Sequence, residues 1–280
     1  MRYMTINEWL LLATKELKIA DISSARLDAE LILSHTIRKP RTYLHAHGNE
    51  LLDERREAIA NARLQMRIER TPLAYIIGHK EFYGRRFKTT PAALIPRPES
   101  EAMIETLRGI IPQNRTLIPI QKHLVDVGTG TGCLGITAKL EWPELEVTLV
   151  DISNHALNLA RENATTYSAK VNIRHNNLLR NYPLPIDIVL ANLPYVDRSW
   201  EVSPETTSEP PEALYANNNG LSLIYQLIEQ TSSLLQPGGH LLLESDKRQQ
   251  ASILAFAKQH GFSRQTTTGL ITHFVKSAPK

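Results

Sequence analysis

Between positions 5 and 70, apolar residues recur at helical spacing. Trp9, Leu12, Ala13 and Leu17 form one stretch, Leu27, Leu31 and Ile32 a second, and Ile59, Leu64 and Met66 a third. That period places apolar side chains along one helix face, and the alternation of a half-buried strand is missing from the region. Asp21 and Ser23-Ser24 stand where a second helix opens, and Asp53 where a third does, each a residue type whose side chain accepts from free N-terminal amides. The third stretch also carries Arg55, Arg56, Glu57, Arg63, Arg67 and Arg70, a mixture that reads as a solvated helix face. A small helical domain over residues 1–75 is the expectation.

Past Thr71-Pro72 the pattern changes. Glu81 to Thr90 reads as two short strands around Gly84, and Pro91, Pro96 and Pro98 then stiffen an extended segment that delivers the chain to a helix near Glu99. Residues 76–98 are therefore expected to form a hairpin linker. From residue 99 to 280 strand and helix patterns alternate, with strands at His123–Val127, Val147–Asp151, Val171–Arg174, Ile186–Ala191 and His240–Glu244. Two more strands follow near Arg264–Thr267 and Thr272–Lys276, and Gln236-Pro-Gly-Gly239 reads as a sharp turn ahead of the fifth. This alternation predicts an α/β domain built on a doubly wound, mainly parallel sheet.

Composition narrows the class. The chain has 280 residues, 42% of them hydrophobic and 22% charged, enough for a sizeable core and too little charge for a disordered chain. Its 32 basic and 29 acidic side chains are interspersed and give a net charge of +3, so no dedicated nucleic-acid surface stands out. Cys133 is the sole cysteine, which excludes an internal disulfide and suits a reducing compartment. The opening Met-Arg-Tyr-Met-Thr-Ile-Asn-Glu-Trp has no signal-peptide core, and no stretch of about 20 apolar residues follows, so a cytoplasmic location is expected. His35, His45 and His47 lack metal-ligand spacing, and no metal is expected.

The candidate chemistry lies at strand ends. Asp126-Val-Gly-Thr-Gly-Thr-Gly132 closes the first strand of the larger domain, where an open α/β sheet binds its ligand. Gly128, Gly130 and Gly132, with Thr129 and Thr131 between them, allow a tight turn and a close ligand approach, and the helix that follows offers free amides to a carboxylate. Asp151 closes the second strand and is placed to accept the hydroxyls of an adenosine ribose. Gly130 to Gly135 also matches the GxGxxG dinucleotide pattern, which leaves a nicotinamide enzyme open; Asp126 favours a cofactor bearing an ammonium group, since it would repel a pyrophosphate. Asn192-Leu-Pro-Tyr195 closes the fourth strand on the same edge. The Asn192 side-chain oxygen and the Leu193 carbonyl can accept the N–H groups of a planar NH2 group on which Tyr195 can stack. Together these features predict methyl transfer from S-adenosylmethionine to an amide or exocyclic amine nitrogen.

Over nearly its whole length the sequence resembles the release factor glutamine methyltransferases, the PrmC/HemK family. The segments that carry the resemblance are Pro72–Gly78, Glu81–Gly84, Phe87–Pro91, the cofactor loop and, most specifically, Leu94-Ile-Pro-Arg-Pro-Glu99. It implies a class I S-adenosylmethionine-dependent, Rossmann-like methyltransferase domain behind an N-terminal substrate-recognition domain. It further implies that a monomer modifies the glutamine side-chain amide in the Gly-Gly-Gln motif of class I peptide chain release factors, without direct nucleic-acid binding. Carried over, Asp126, Gly128 to Gly132, Asp151, Leu178 beside the adenine, and Asn192 would hold the cofactor. Asn192, Leu193, Pro194 and Tyr195 would hold the glutamine, and Arg97 and Pro98 would line the site. The chain departs from the family in Leu193, where proline is usual, in Asn176-Asn-Leu178, where an acid is common, and in Glu244-Ser-Asp246. Asn-Leu-Pro-Tyr also resembles the motif of ribosomal RNA adenine dimethyltransferases, so the amino group of adenine in RNA or DNA stays open as the acceptor. A catalytically silent binding module that keeps the fold stays open as well.

Overall fold

The computed structural model describes residues 4–111, 122–183 and 185–278; residues 1–3 of the opening segment read above lie outside them. The chain packs as two units, Met1–His79 with Val202–Ser208, and Lys80–Glu201 with Glu209–Lys280. The hairpin expected as a linker packs, from Lys80 onward, with the larger unit. Among the described residues no helix is long and apolar enough to cross a membrane.

The smaller unit contains α1 (Ile6–Ile19), α2 (Ala25–Ile37), α3 (Arg41–Ala46), α4 (Glu54–Ile68) and α5 (Leu73–Ile77). Thr5 and Glu8 close a reciprocal capping box on α1, and Asp53 caps α4 by accepting from the Arg56 amide, as its residue type predicts. Ser24 stands at the start of α2 without a side-chain cap bond, and Asp21 takes a left-handed turn conformation instead of capping. Of the expected positions, Trp9, Ala13, Leu17, Ile32 and Leu64 are buried, but not all of the leucines follow. Ile6, Trp9, Leu10, Ala13 and Leu17 pack against Ala25, Ala29, Ile32, Leu33 and Ile37, while Leu12, Leu27, Ile59 and Met66 are exposed. Both α1 and α2 carry leucines on more than one face, and the face containing alanines wins because small residues let helices approach closely. The arginine run is not wholly solvated either. Arg67 is buried, with Nε donating to Asp28 Oδ2 at 2.7 Å and Nη2 to Glu205 Oε1 at 3.1 Å.

In the larger unit, β1 (His79–Phe82) and β2 (Arg85–Lys88) pair through a turn at Tyr83 and Gly84, both at positive φ, as a two-residue hairpin turn needs. A 3-10 turn at Pro98–Ser100 leads into α6 (Glu101–Ile110). Then follow β3 (His123–Val127), α7 (Cys133–Glu141), β4 (Glu146–Asp151), α8 (Asn154–Thr166), β5 (Asn172–His175) and β6 (Ile186–Ala191). After a short α9 (Pro211–Leu214) come α10 (Ser222–Leu234), β7 (Leu235–Glu244), α11 (Gln250–Gln259), β8 (Phe262–Thr268) and β9 (Ile271–Lys276).

The strands form one sheet in the order β5-β4-β3-β6-β7-β9-β8, parallel except around β9, which pairs antiparallel with both neighbours. Alternate residues feed opposite faces: Leu124, Leu149 and Leu190 enter the core that includes Met103, Leu107 and Ile136, while Val125, Val127 and Val189 enter the one that includes Ile224, Ile228 and Ile253. Gln236–Gly239 does not precede the fifth strand as a separate turn. Leu235 already pairs with Ile186 and His240 with Ile188, so the Pro-Gly-Gly segment bulges out within β7. The chain runs outward from β3 through β4 to β5 and then returns to place β6 on the other side of β3. The strand order therefore reverses at the β3/β6 boundary, the position at which such sheets bind ligands.

Candidate active site

The loop after β3 is built from hydrogen bonds that leave its inner surface open. The amides of Gly128 and Thr129 both donate to the Val150 carbonyl at 2.8 and 3.0 Å, tying the loop to the end of β4. Gly128, Gly130 and Gly132 all have positive φ, which explains why glycine occupies them. Asp126 stands behind the loop: its Oδ2 accepts from Thr129 Oγ1 at 2.6 Å and from the Gly135 amide at 2.9 Å. Its Oδ1 is buried and has no partner among the described residues. Burial raises the Asp126 carboxyl to about 6, against the pull of Thr129 and Gly135. A buried carboxylate oxygen lacking a donor is costly. Asp151 Oδ2 accepts from the Gly130 amide and Oδ1 from the Ser153 amide, both at 2.9 Å, which fixes the carboxylate while leaving lone pairs for hydroxyl donors. Its pKa is raised by burial.

At the end of β6, the Leu193 side chain is buried against the loop. A Cβ added to Gly128 would lie 2.9 Å from Leu193 Cδ2, so this leucine fills the space that a glycine at 128 leaves. Asn192 Nδ2 donates to Ser100 Oγ at 3.0 Å, and Ser100 Oγ donates in turn to Glu244 Oε2 at 2.5 Å. Tyr195 Oη donates to Glu244 Oε1 at 3.2 Å. Burial, then Glu244 itself, pushes the Tyr195 hydroxyl pKa well up, and burial raises Glu244. Gln249 Nε2 donates to the carbonyls of Tyr195 and Asn219 at 2.8 and 2.7 Å, anchoring the far side of the motif. Arg97 does not stand free: its Nη2 donates to the buried Glu209 Oε1 at 2.5 Å, while Glu209 Oε2 accepts from the Ile95 amide at 3.0 Å.

One cavity of about 580 Å³ brings together Arg97, Gly128, Thr129, Gly130, Thr131, Asp151, Leu178, Asn192, Leu193 and Pro194. Asp126, Gly132, Tyr195 and Pro98 are not on its wall. Asp126 sits behind the loop, Gly132 packs on Ile136 and Ala160 at the start of α7, Tyr195 is turned to Glu244, and Pro98 opens the 3-10 turn. The hydroxyl of Tyr195 is anchored on Glu244, which fixes one end of the ring expected to stack on a planar group. Ser100, Glu209, Glu244 and Gln249 were not foreseen. Their partners lie between 30 and 144 residues away in the chain, and the single hint was Glu244 itself, noted only as a departure. Cys133 starts α7 beside the cavity, but burial pushes its thiol up to about 12, so it is no nucleophile.

A parallel sheet with this strand order, a glycine loop after β3 and an acid after β4 define a class I methyltransferase fold. Residues 100–266 match the methyltransferase small domain family and residues 8–78 the PrmC N-terminal domain family. The chain belongs to the release factor glutamine methyltransferase family. It is 36% identical to the release factor glutamine methyltransferase of Koribacter versatilis over 86% of each chain. It is 34% identical to that of Deinococcus radiodurans over 95% of each. Among solved structures, a methyltransferase from Pyrococcus furiosus shares the fold with a TM-score of 0.52 at 17% identity, over 78% of this chain and 98% of that one.

Proposed function

We propose that this protein transfers a methyl group from S-adenosylmethionine to the side-chain amide nitrogen of the glutamine in the Gly-Gly-Gln motif of class I peptide chain release factors. The observation that carries the reading is the single cavity holding Gly128–Thr131 and Asp151 beside Asn192–Pro194. Asp151, on the cavity wall with lone pairs left for hydroxyl donors, fits a cofactor that carries a ribose, while Asp126 lies behind the loop and braces it through Thr129 and the Gly135 amide. When bound, S-adenosylmethionine supplies an electrophilic methyl group. Amides at the start of α7 would take its carboxylate end, Asp151 its ribose hydroxyls, and Leu178 would pack by its adenine.

The rest is done by the strand-end motif. An amide nitrogen shares its lone pair with its carbonyl and attacks poorly. Asn192 Oδ1 and the Leu193 carbonyl accept its N–H groups, hold it toward the donor methyl and favour the positive charge that develops as the N–C bond forms and the methyl's bond to sulfur breaks, its electron pair staying on sulfur. The surplus proton then leaves the nitrogen to water, and no dedicated base is required. Alignment of this kind lowers barriers by up to ~7–11 kcal/mol where it is near ideal. The Leu193 carbonyl serves as the usual proline's would, and the leucine side chain supplies packing on Gly128 in place of a second ring. Residues 1–75 act as the recognition domain for the protein substrate, 76–98 as the connection and 99–280 as the catalytic domain.

The test is to incubate the protein with methyl-labelled S-adenosylmethionine and either a class I release factor or RNA and DNA. Label in the Gly-Gly-Gln peptide is expected. Label in adenine, or none with a cofactor-binding protein, would overturn the assignment.

A further inference from the structure

We infer that Ser100 and Glu244 are positioning residues which set the end of the Asn192 amide that meets the methyl acceptor; this rests on the function proposed above. An asparagine amide has an accepting end and a donating end of nearly the same shape, and only the accepting end can take the N–H groups of a substrate NH2. Something must therefore choose between the two orientations. Asn192 and Ser100 both border the cavity, Glu244 lies behind them, and the two groups that choose are buried, Ser100 being 2% and Glu244 1% exposed.

The choice follows from counting protons. Glu244 receives two hydroxyls, Ser100 on Oε2 at 2.5 Å and Tyr195 on Oε1 at 3.2 Å. A carboxylate only accepts, so the one proton of Ser100 is spent on Glu244. Ser100 then has only lone pairs to offer Asn192, and the atom it holds at 3.0 Å is the donor Nδ2. Oδ1 is left as the accepting end. The polarity thus runs from Asn192 through Ser100 to Glu244, with Tyr195 holding the second carboxylate oxygen so that Glu244 cannot rotate to release the serine. The backbone supports the same arrangement, since Leu243 of β7 pairs with Ala191 of β6 and places Glu244 beside Asn192. Ser100 ends the segment whose Arg97 borders the cavity. Without the serine hydroxyl, Asn192 is free to turn its NH2 toward the acceptor's NH2, and the two donors repel.

The experiment compares the full-length protein with Ser100→Ala and Ser100→Thr in single-turnover methylation of a release factor. The affinity of each for S-adenosylhomocysteine is measured by calorimetry, and exchange of the Asn192 side-chain amide protons is followed by NMR without substrate. Ser100→Ala is expected to slow transfer about 10- to 100-fold with cofactor-product affinity within about twofold, and Ser100→Thr to restore the rate to within about threefold. The protected Asn192 Nδ2 proton of the wild type should exchange freely in Ser100→Ala. A Ser100→Ala protein with wild-type rate, a loss that threonine does not rescue, or a loss matched by the cofactor product's affinity would each overturn the inference. The exchange arm needs no methyl acceptor: should the wild type label no release factor, the proposed function fails, and unchanged Asn192 exchange in Ser100→Ala would still refute the inference separately.

Discussion

Replacing Glu209 with alanine removes the one group that holds both ends of the Ile95–Arg97 stretch. In the wild type its two oxygens accept from the Ile95 amide at 3.0 Å and from Arg97 Nη2 at 2.5 Å, and its side chain is 2% exposed. Without it the buried Ile95 N–H has no acceptor, which costs about 1–3 kcal/mol. Arg97 loses its partner too, but with 32% of its side chain exposed water takes over much of the guanidinium, and this part adds only about 1 kcal/mol. A local destabilisation of about 2–4 kcal/mol speeds exchange of the Ile95 amide about 30- to 1,000-fold, at about 1.4 kcal/mol per tenfold. Native-state hydrogen exchange reads this directly. Arg97→Ala supplies the control, because it leaves the Ile95 acceptor in place and should raise that amide's exchange far less. Since Ile95 and Arg97 both border the cavity, affinity for the cofactor should fall in Glu209→Ala. Exchange of Ile95 within threefold of wild type, or a larger effect from Arg97→Ala, would refute the reasoning.

Acid should weaken the sheet at β7 and β9, where His240 Nδ1 lies 3.0 Å from His273 Nε2. Burial, with His273 and Lys122 adding, brings His240 down to about 4, below its ordinary 6.5, so the unfolded chain binds more protons between these values. The contribution is full above pH 6.5 and lost as pH falls toward 4; after allowance for partial exposure it amounts to about 1–2 kcal/mol. Urea midpoints at pH 7 and 4.5 should converge in His240→Leu relative to wild type, and an unchanged pH dependence would count against the pair. Cys133, held up to about 12, should react with iodoacetamide at pH 8 at least ~100-fold more slowly in the native protein than in guanidinium. Native reactivity equal to that of the unfolded chain would show that the thiol is not buried as described.

What was legible in the sequence is what depends on near neighbours. The runs at 123–127 and 186–191 are apolar, strand-length and followed by turn residues, and the observed strands begin and end where that pattern does. The glycine loop was legible because positive φ selects glycine, and its place after β3 follows from the alternation of strands and helices. The faces of α1 and α2 were legible in part: Trp9, Ala13, Leu17 and Ile32 are buried as their spacing suggests, whereas Leu12 and Leu27 are exposed, because a helical period does not fix the edges of the buried face. Ser100, Glu209 and Glu244 were not legible. Ser100 and Glu244 are 144 residues apart, and no local pattern marks a serine and a glutamate that meet only after the sheet has formed. The bond from the Tyr195 hydroxyl to Glu244 was not legible, because Glu244 enters on a different strand.

The proposed function depends on Asn192 as the group that aims the acceptor nitrogen beside the glycine loop. Its most direct test is single-turnover methyl transfer to a class I release factor by wild type and Asn192→Ala, both saturated with S-adenosylmethionine, with cofactor affinity measured alongside. The rate in Asn192→Ala is expected to fall about 10²- to 10³-fold while cofactor affinity changes by no more than about threefold. Transfer at the wild-type rate by Asn192→Ala would contradict the proposed function.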